Sequence, residues 1–378
     1  MASSVYIHIP FCQQICYYCD FNKFMMDRQP VDEYLDYLEK EIKSTLTTHP
    51  INELKTIYVG GGTPTALDLK QTERLLEIIK SNILKHHENV EYSFEANPND
   101  ISKEKLVLLH QGGVNRISYG AQTFDEGLLK KIGRTHSPDD IGNAIHLAKE
   151  VGFKNVNLDL MYALPGQTME QFQDSLNKAI ALPIEHISAY SLIIEPKTVF
   201  YIEMNRGRLK PSPEDDEAAM YEFLMKFAEE HQFHQYEISN FEKGGHESKH
   251  NLVYWNNEEY YGFGAGAHGY VNGVRYSNAG PLKKYFNEID GKGNSIIHEH
   301  TVTKQEKMEE EMFLGLRKMA GVSESLFTKK YGVNFEEAFP HVVEDLTKKQ
   351  LVIMEDEYLK LTHRGKLLGN EVFQSFLL

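Results

Sequence analysis

The chain has 378 residues, 41% of them hydrophobic and 25% charged, with a formal net charge of -15 at pH 7. This length can bury a large core and suggests one large domain with an appendage, or two domains. The acidic balance argues against broad contact with nucleic acid, which usually requires a basic face, and no apolar run approaches the roughly 20 residues of a membrane-spanning helix.

The first two thirds of the chain alternate short β-rich segments with amphipathic helical segments, a pattern typical of parallel β/α units. Strands are predicted at 4–9, 55–61, 90–96, 114–122, 154–164 and 185–193, and helices at 31–47, 69–85, 102–111, 138–151 and 168–181. These repeats predict an α/β fold with a partial β/α barrel. In such a barrel the functional residues gather where the strands end, because the loops after the strands converge there.

Beyond residue 200 the pattern changes to a long helix, a single strand "QYEISNF" and a segment rich in Gly, Tyr and Asn. From about residue 303, helices followed by the hairpin "LVIMEDEYLKLT" have the outline of a winged helix, and its acidic character favours a structural or partner-docking role over DNA binding. We therefore predict three regions: a barrel core (1–235), a connecting region (236–302) and a smaller C-terminal helical, winged-helix-like domain (303–378).

All three cysteines, Cys12, Cys16 and Cys19, lie in "HIPFCQQICYYCDF" after the first strand. The start of the chain lacks a secretory leader pattern, so we expect a cytoplasmic protein in which close thiols bind metal or do redox chemistry. A [4Fe-4S] cluster takes one thiolate per iron, which would leave one iron open to chelate an amine and a carboxylate. The alternatives are chance burial and zinc, which usually requires a further ligand; His8 is the nearest, but we expect it to face away from the loop.

Glycine-rich and polar residues follow the later strands. The segment "GGGTPT" (60–65) would let its backbone approach a ligand closely and offer N–H groups to a carboxylate, although a tight turn capped by Thr63 is a simpler explanation. Four polar residues lie at or just after successive strands, where a barrel would direct them into one mouth: Glu95, Gln122, Arg134 and Asp159. Taken singly, each is better explained as a solvated or structural residue.

The C-x3-C-x2-C spacing, with Tyr18 between the last two cysteines, resembles the signature of radical S-adenosylmethionine (SAM) proteins. The resemblance implies a [4Fe-4S] cluster on Cys12, Cys16 and Cys19, SAM on its open iron, and SAM cleavage to a 5'-deoxyadenosyl radical. The segments "YIHIPFC", "GGGTPT", "SFEANP", "SYGAQTF", "GRTH", "NLDLMYALPGQT" and "SAYSLIIEPKT" occur in order and resemble the anaerobic coproporphyrinogen III oxidase family. That likeness extends to the C-terminal domain and implies these SAM contacts: Tyr6, Tyr18, Gly61, Gly62, Thr63, Glu95, Gln122, Arg134 and Asp159.

Two features distinguish the chain from the oxidases of that family. Phe21 stands where they have a further cysteine, and "HNLVYW" (250–255) is similar to the H-N-x-x-Y-W motif of a branch of haem chaperones. The resemblance implies a protein that binds haem through His250 and delivers it to apo-haemoproteins, with Tyr254 and Trp255 as aromatic surface for the porphyrin.

The alternative function is oxidative decarboxylation of coproporphyrinogen III to protoporphyrinogen IX, so the sequence leaves open whether the chain is an enzyme. A homodimer and transient contact with membrane-bound haemoproteins are further hypotheses. The segment "GAGAHG" (264–269) satisfies the G-x-G-x-x-G pattern, but strand-like runs follow it where a dinucleotide motif requires a helix. We interpret it as a close-packed glycine turn.

Overall fold

The computed structural model describes residues 2–85 and 87–377. Met1, the first residue of the predicted barrel core, and Leu378, the last residue of the predicted C-terminal domain, lie outside the described residues. The strands are β1 (Ser4–Ile9), β2 (Phe11–Cys12), β3 (Phe24–Met25), β4 (Thr56–Gly61), β5 (Glu91–Ala96), β6 (Arg116–Gln122), β7 (Asn155–Tyr162), β8 (His186–Ser191), β9 (His234–Glu237), β10 (Asn240–Glu242), β11 (Tyr261–Phe263), β12 (His268–Val271), β13 (Val274–Asn278), β14 (Ile296–Thr301), β15 (Val322–Ser323), β16 (Val352–Glu355) and β17 (Tyr358–Leu361). The helices are α1 (Val31–Thr48), α2 (Leu69–Ile79), α3 (Lys103–Gln111), α4 (Glu126–Lys131), α5 (Pro138–Val151), α6 (Met169–Ile180), α7 (Val199–Asn205), α8 (Glu214–Glu230), α9 (Lys249–Trp255), α10 (Leu282–Lys292), α11 (Lys304–Gly315), α12 (Glu324–Tyr331), α13 (Phe335–Ala338), α14 (Val342–Lys348), α15 (His363–Leu367) and α16 (Gly369–Gln374). Short 3-10 turns at Pro64–Ala66 and Pro98–Asp100 and a π-helical turn at Lys80–Leu84 complete the helical segments.

Nine strands form one sheet in the order β11-β1-β4-β5-β6-β7-β8-β10-β9. From β1 to β8 the neighbours in this order pair in parallel, and helices connect them. Strand β11 adds a parallel partner to β1, and the antiparallel hairpin β9–β10 covers the edge of β8. Because β11 and β9 do not pair with each other, the barrel is open on one side. The predicted partial β/α barrel is confirmed.

Helix starts in the barrel follow directly from local sequence. Helices α2, α5 and α6 each begin with a capping box, whose N-cap residues are Asp68, Ser137 and Thr168. In each box the N-cap side chain accepts a hydrogen bond from the backbone N–H of the third helical residue. The side chain of that third residue in turn accepts from the backbone N–H of the N-cap residue. These hydrogen bonds fix the residues at which the three helices begin.

The predicted single strand "QYEISNF" is wrong, because β9 and β10 form a hairpin there. The backbone N–H of Ile238 donates to the carbonyl oxygen of Arg317 at 3.1 Å. The C-terminal domain thus takes the hydrogen bond that a continuous strand would have used. Strands β10 and β11 also belong to the core sheet, so that sheet extends beyond residue 235.

The C-terminal domain has a core of its own, which includes Met312, Leu316, Phe327, Phe339 and Phe376. Its three-stranded sheet has the order β15-β17-β16, and β16 and β17 form the predicted hairpin. Within the part of the chain that the structure describes, no helix has the length and apolarity to cross a membrane.

A buried carboxylate ties helix α1 to the segment between β11 and β14. Glu41 is 2% exposed and accepts hydrogen bonds from the Gly264 N–H at 2.8 Å, Asn278 Nδ2 at 3.0 Å and the hydroxyls of Tyr285 at 2.8 Å and Ser295 at 2.6 Å. Because these donors come from separate parts of the chain, Glu41 fixes the glycine-rich turn after β11 against the barrel.

We expect Glu41→Leu to lower the free energy of unfolding by about 3 kcal/mol, since it leaves several buried donors without an acceptor. Urea unfolding followed by circular dichroism measures this change. The matched control is Glu33→Ala, an exposed position on the same helix, for which we expect a change within about 0.5 kcal/mol. Equal stability of the two variants would contradict the anchoring role of Glu41.

Candidate functional site

The cysteine loop closes on itself at the end of β1. Strands β2 and β3 pair in parallel across its base, and the Met26 N–H donates to the carbonyl of Cys12 at 2.9 Å. Within the loop, the Cys19 N–H donates to the carbonyl of Cys16 at 3.2 Å. Cys12 is buried, whereas Cys16 and Cys19 are partly exposed, and all three are free thiols. The predicted metal-binding cysteines therefore share one compact loop at the barrel mouth.

Burial raises the pKa of Cys12 to about 11 and also raises the pKa of Cys19. These thiols would lose their protons on binding a metal centre, because the cation favours the thiolate. In residues 2–85 and 87–377, no group of three or more His, Cys, Asp or Glu side chains could hold a single metal ion.

Arg134 joins the cysteine loop to the barrel strands. Its Nη1 donates to Cys16 Sγ at 3.3 Å, and its Nη2 donates to Asn97 Oδ1 at 2.9 Å and to the carbonyl of Gly120. A Cβ at Gly120 would come within 3.0 Å of this guanidinium, so the glycine leaves room for it. The guanidinium stabilises negative charge on the sulfur and brings the ends of β5 and β6 to the loop.

The "GGGTPT" segment holds the carboxylate of Glu95. The Tyr58 hydroxyl donates to Oε1 at 2.8 Å and the Gly61 N–H donates to Oε2 at 3.0 Å. Burial raises the pKa of Glu95 to about 7, and these two hydrogen bonds offset only part of that effect. A Cβ on Gly60 would lie 2.8 Å from the carboxyl group, so glycine is required for this approach.

The simple interpretation of Thr63 as a helix cap is not supported, since its side chain makes no capping hydrogen bond. Instead the Thr63 N–H donates to the carbonyl of Phe11 at 2.8 Å, and the Gly62 N–H donates to the carbonyl of Ile9 at 2.9 Å. A Cβ on Gly62 would come within 2.8 Å of the Phe11 carbonyl. The glycine-rich loop therefore packs directly on the base of the cysteine loop.

Three further predicted SAM contacts lie within β7, at the end of β6 and in the cysteine loop. Asp159 accepts from Asn157 Nδ2 at 2.7 Å and from the Ser118 hydroxyl at 3.2 Å, and burial raises its pKa. Gln122 adopts a left-handed backbone (φ 67°) at an irregularity in the pairing of β6 with β7. Tyr18, in the cysteine loop, packs against a small apolar cluster around Phe200.

His250 lies at the other end of the barrel. His250 is 1% exposed, and its ring is hydrogen-bonded through Nδ1 to Thr56 Oγ1 at 2.7 Å and through Nε2 to the Tyr254 hydroxyl at 2.9 Å. Thr56 begins β4, whereas Gly61 ends it at the mouth, so the structure does not bring His250 together with the cysteine loop. Burial lowers the pKa of His250 to about 3, which keeps the imidazole neutral.

Beside His250, helices α9 and α11 contribute to the wall of an open cavity of about 480 Å³. Its wall combines aromatic and aliphatic side chains with polar and charged ones: Tyr254, Trp255, Asn257, Glu258, Tyr260, Arg275, Glu310, Phe313 and Leu314. Arg275 makes a bidentate ion pair with Glu310 at 2.7 and 2.9 Å. The cavity has the size of a small-molecule site, for which about 300–1,000 Å³ is usual.

Sequence reasoning missed Tyr58 as a residue of the site. Its hydroxyl donates a hydrogen bond to the Glu95 carboxylate, and its ring stacks on the ring of His250 with centroids 5.2 Å apart. Its position two residues before Gly60, on the same face of β4, was the available signal. Sequence reasoning also placed His8 wrongly: its Nε2 bonds the carbonyl of Asn22 at 2.8 Å, just after the cysteine loop.

Comparison with known proteins agrees with this architecture. The model of the radical SAM superfamily matches residues 6–179 and that of the HemN C-terminal domain matches residues 302–368. The chain is 53% identical over 374 residues to heme chaperone HemW of Bacillus subtilis, covering 99% of both chains. It is 45% identical over 377 residues to heme chaperone HemW of Lactococcus lactis, covering 100% of this chain and 97% of the relative.

The fold is also similar to that of coproporphyrinogen III oxidase (HemN) from Escherichia coli, with a TM-score of 0.87, 24% identity, and coverage of 99% of this chain and 89% of the other. The open barrel, its cysteine loop and the two family models together define a radical SAM protein with a HemN-type C-terminal domain. Its full-length likeness to the two chaperones shows more: the chain belongs to the HemW family. The branch predicted from Phe21 and "HNLVYW" is confirmed.

The raised pKa of Glu95 predicts a pH dependence of stability. The unfolded chain releases this proton near the ordinary value of 4.5 and the folded protein near about 7. Between these values the folded state binds more proton, so the contribution of Glu95 to stability is complete below the lower value and is lost as the pH rises through the upper one. Relative to Glu95→Gln, the wild type should lose about 2–3 kcal/mol of unfolding free energy between these pH values. Parallel urea curves at each pH test this, and a pH-independent difference would contradict the raised pKa.

Proposed function

We propose that this protein binds haem and delivers it to apo-haemoproteins, and that it carries a [4Fe-4S] cluster and SAM at the barrel mouth. The proposal rests above all on helix α9, which carries "HNLVYW" and presents Tyr254 and Trp255 to an aromatic cavity of about 480 Å³. The name of the B. subtilis and L. lactis relatives, heme chaperone, supports the same function.

Cys12, Cys16 and Cys19 would hold the cluster, which, when bound, supplies an electron and an open iron site for SAM. Their shared loop and the contact of Arg134 with Cys16 support this assignment. We propose these SAM contacts: Tyr6, Tyr18, Gly61, Gly62, Thr63, Glu95, Gln122, Arg134 and Asp159. Among them, the carboxylates can accept from hydroxyl and amino groups, and the glycine backbone can approach a ligand closely.

We propose His250 as the haem ligand. A neutral imidazole is the form that binds iron, and the low pKa of His250 provides it. Both ring nitrogens are hydrogen-bonded, so iron would have to replace one partner. Tyr254 is the suitable one to leave, because it bonds Nε2 and also lines the aromatic cavity. Movement of Tyr254 would thus open His250 to a porphyrin in that cavity.

The acceptors would be apo-haemoproteins, including membrane-bound ones that the protein contacts transiently. We propose a cytoplasmic location, because free thiols confined to one metal-binding loop suit a reducing compartment. We also propose a homodimer, which sedimentation with and without the cofactors would test.

Coproporphyrinogen oxidation is the less favoured function. The likeness to the oxidase is at 24% identity and extends to the fold alone. Phe21 replaces the further cysteine of the oxidases and is 64% exposed on the cysteine loop. We therefore favour haem delivery over porphyrin chemistry.

Anaerobically reconstituted protein should bind haem saturably and form no protoporphyrinogen from coproporphyrinogen, SAM and a reductant. Titration followed by absorption spectroscopy measures the first property, and product fluorescence after oxidation measures the second. The absence of haem binding, or steady turnover of coproporphyrinogen, would refute the chaperone proposal.

We expect His250→Ala to weaken haem binding about tenfold or more and to change the haem absorption spectrum, since it removes the ligand to iron. SAM binding should be retained, because His250 lies at the opposite end of β4 from the mouth. His298→Ala, at an exposed position on β14, is the control. If wild type and His250→Ala share the same affinity and spectrum, another residue is the ligand.

A further inference from the structure

The cysteine loop returns to the barrel at Asn22, whose side chain binds another part of the chain. Its Nδ2 donates to the carbonyl of Ala265 at 2.8 Å and to that of Gly280 at 3.2 Å. Ala265 lies in the glycine-rich turn that follows β11, and Gly280 lies between β13 and α10. The segment "GAGAHG", which satisfies the dinucleotide pattern in the sequence, therefore binds the end of the cysteine loop through the carbonyl of Ala265.

His8 also binds Asn22, through the backbone carbonyl of that residue. Its Nε2 lies 2.8 Å from the carbonyl oxygen of Asn22, and its Nδ1 lies 2.9 Å from the Tyr6 hydroxyl. A carbonyl oxygen can only accept, so Nε2 carries the hydrogen. In a neutral imidazole, Nδ1 is then the acceptor and the Tyr6 hydroxyl donates to it. The Tyr6 oxygen is left to meet any ligand as a hydrogen-bond acceptor.

Tyr34 of helix α1 closes a circuit of hydrogen bonds with these residues. Its hydroxyl donates to the carbonyl of His8 at 2.7 Å and accepts from the N–H of Ala265 at 3.1 Å. The circuit runs from His8 to Asn22, to Ala265, to Tyr34 and back to His8. Tyr34 and Ala265 are fully buried, His8 is 5% exposed and Asn22 is half-buried, so water offers little competition for the two hydrogen bonds of Tyr34.

Glycines at the turn leave the space that this circuit needs. A Cβ on Gly264 would come within 2.5 Å of the His8 carbonyl, and one on Gly266 within 2.7 Å of Asn22 Nδ2. Both have positive φ, at 99° and 78°, where other residues are strained. The backbone of the turn is therefore shaped around His8 and Asn22.

We propose that His8 and Asn22 are positioning residues for the cofactors: Asn22 fixes the return of the cysteine loop, and His8 both supports Asn22 and holds the Tyr6 hydroxyl as an acceptor for SAM. The inference rests on the proposed cluster and SAM site. The two ring nitrogens of His8 have separate roles, since Nε2 binds Asn22 and Nδ1 binds Tyr6. Substitutions can therefore remove one hydrogen bond at a time.

The first experiment tests the loop. Asn22→Asp removes both donors and places a carboxylate against two carbonyl oxygens, so the reconstituted cluster should be lost about tenfold faster to an iron chelator. Phe21→Leu, at the adjacent exposed position, should behave like the wild type. Iron and sulfide content and the decay of the cluster absorbance are measured, with the unfolding midpoint as a check on folding. Equal decay rates for Asn22→Asp and Phe21→Leu would overturn the role of Asn22.

The second experiment separates the nitrogens of His8. The amide of His8→Gln can donate to the Asn22 carbonyl but offers no ring acceptor to Tyr6, so cluster decay should remain near that of wild type while the Kd for SAM rises about tenfold. His8→Ala should impair both properties. Tyr6→Phe should raise the Kd for SAM similarly, and the double variant Tyr6→Phe with His8→Gln should be no worse than either single variant.

Equal cluster decay in His8→Gln and His8→Ala, or additive effects of His8→Gln and Tyr6→Phe on SAM binding, would overturn the assignment. Failure of the wild type itself to hold a cluster would instead refute the proposed cofactor site. Both outcomes are read from cofactor content and SAM binding, without haem or any activity assay.

Discussion

The parallel pairing of β1 with β4 is the constraint on which the site depends. Its register places Ile9 opposite Gly61, so the cysteine loop and the glycine-rich loop leave the sheet side by side. Backbone bonds from Gly62 to Ile9 and from Thr63 to Phe11 then join the two loops. A shift of one residue in this register would reverse the faces of the strand and separate the thiols from the backbone that would bind the cofactor.

The barrel uses its two ends differently, and Tyr58 lies between them. At the mouth its hydroxyl donates to Glu95, and toward the other end its ring stacks on His250. The mouth is built from glycine backbone, buried carboxylates and thiols, groups that suit a polar ligand and a metal centre. The other end offers a neutral imidazole beside an aromatic cavity, which suits a flat apolar ligand. One side chain thus contacts both proposed binding regions.

The sequence predicted the β/α alternation and the residues at the strand ends because both follow from local periodicity and from short motifs. It could not predict β11 as the neighbour of β1, since three residues from a distant segment carry too little pattern. The segment "QYEISNF" forms two strands because the backbone N–H of Ile238 donates to the carbonyl of Arg317 in the C-terminal domain. His8 faces the cysteine loop because its ring binds the carbonyl of Asn22, where that loop ends. Each of these depends on tertiary contacts that no local pattern encodes.

Phe21, one of the two features that distinguish this sequence from the oxidases that it resembles, has a side chain outside the hydrogen bonds that hold the cysteine loop in place. Its side chain is 64% exposed, whereas its neighbour Asn22 is bound into the glycine-rich turn. A change at position 21 therefore alters the outer surface of the cysteine loop and not the contacts that hold the loop in place. The proposed cofactor site is therefore compatible with a change of surface at position 21, where a protein that passes haem to a partner would differ from a porphyrin oxidase.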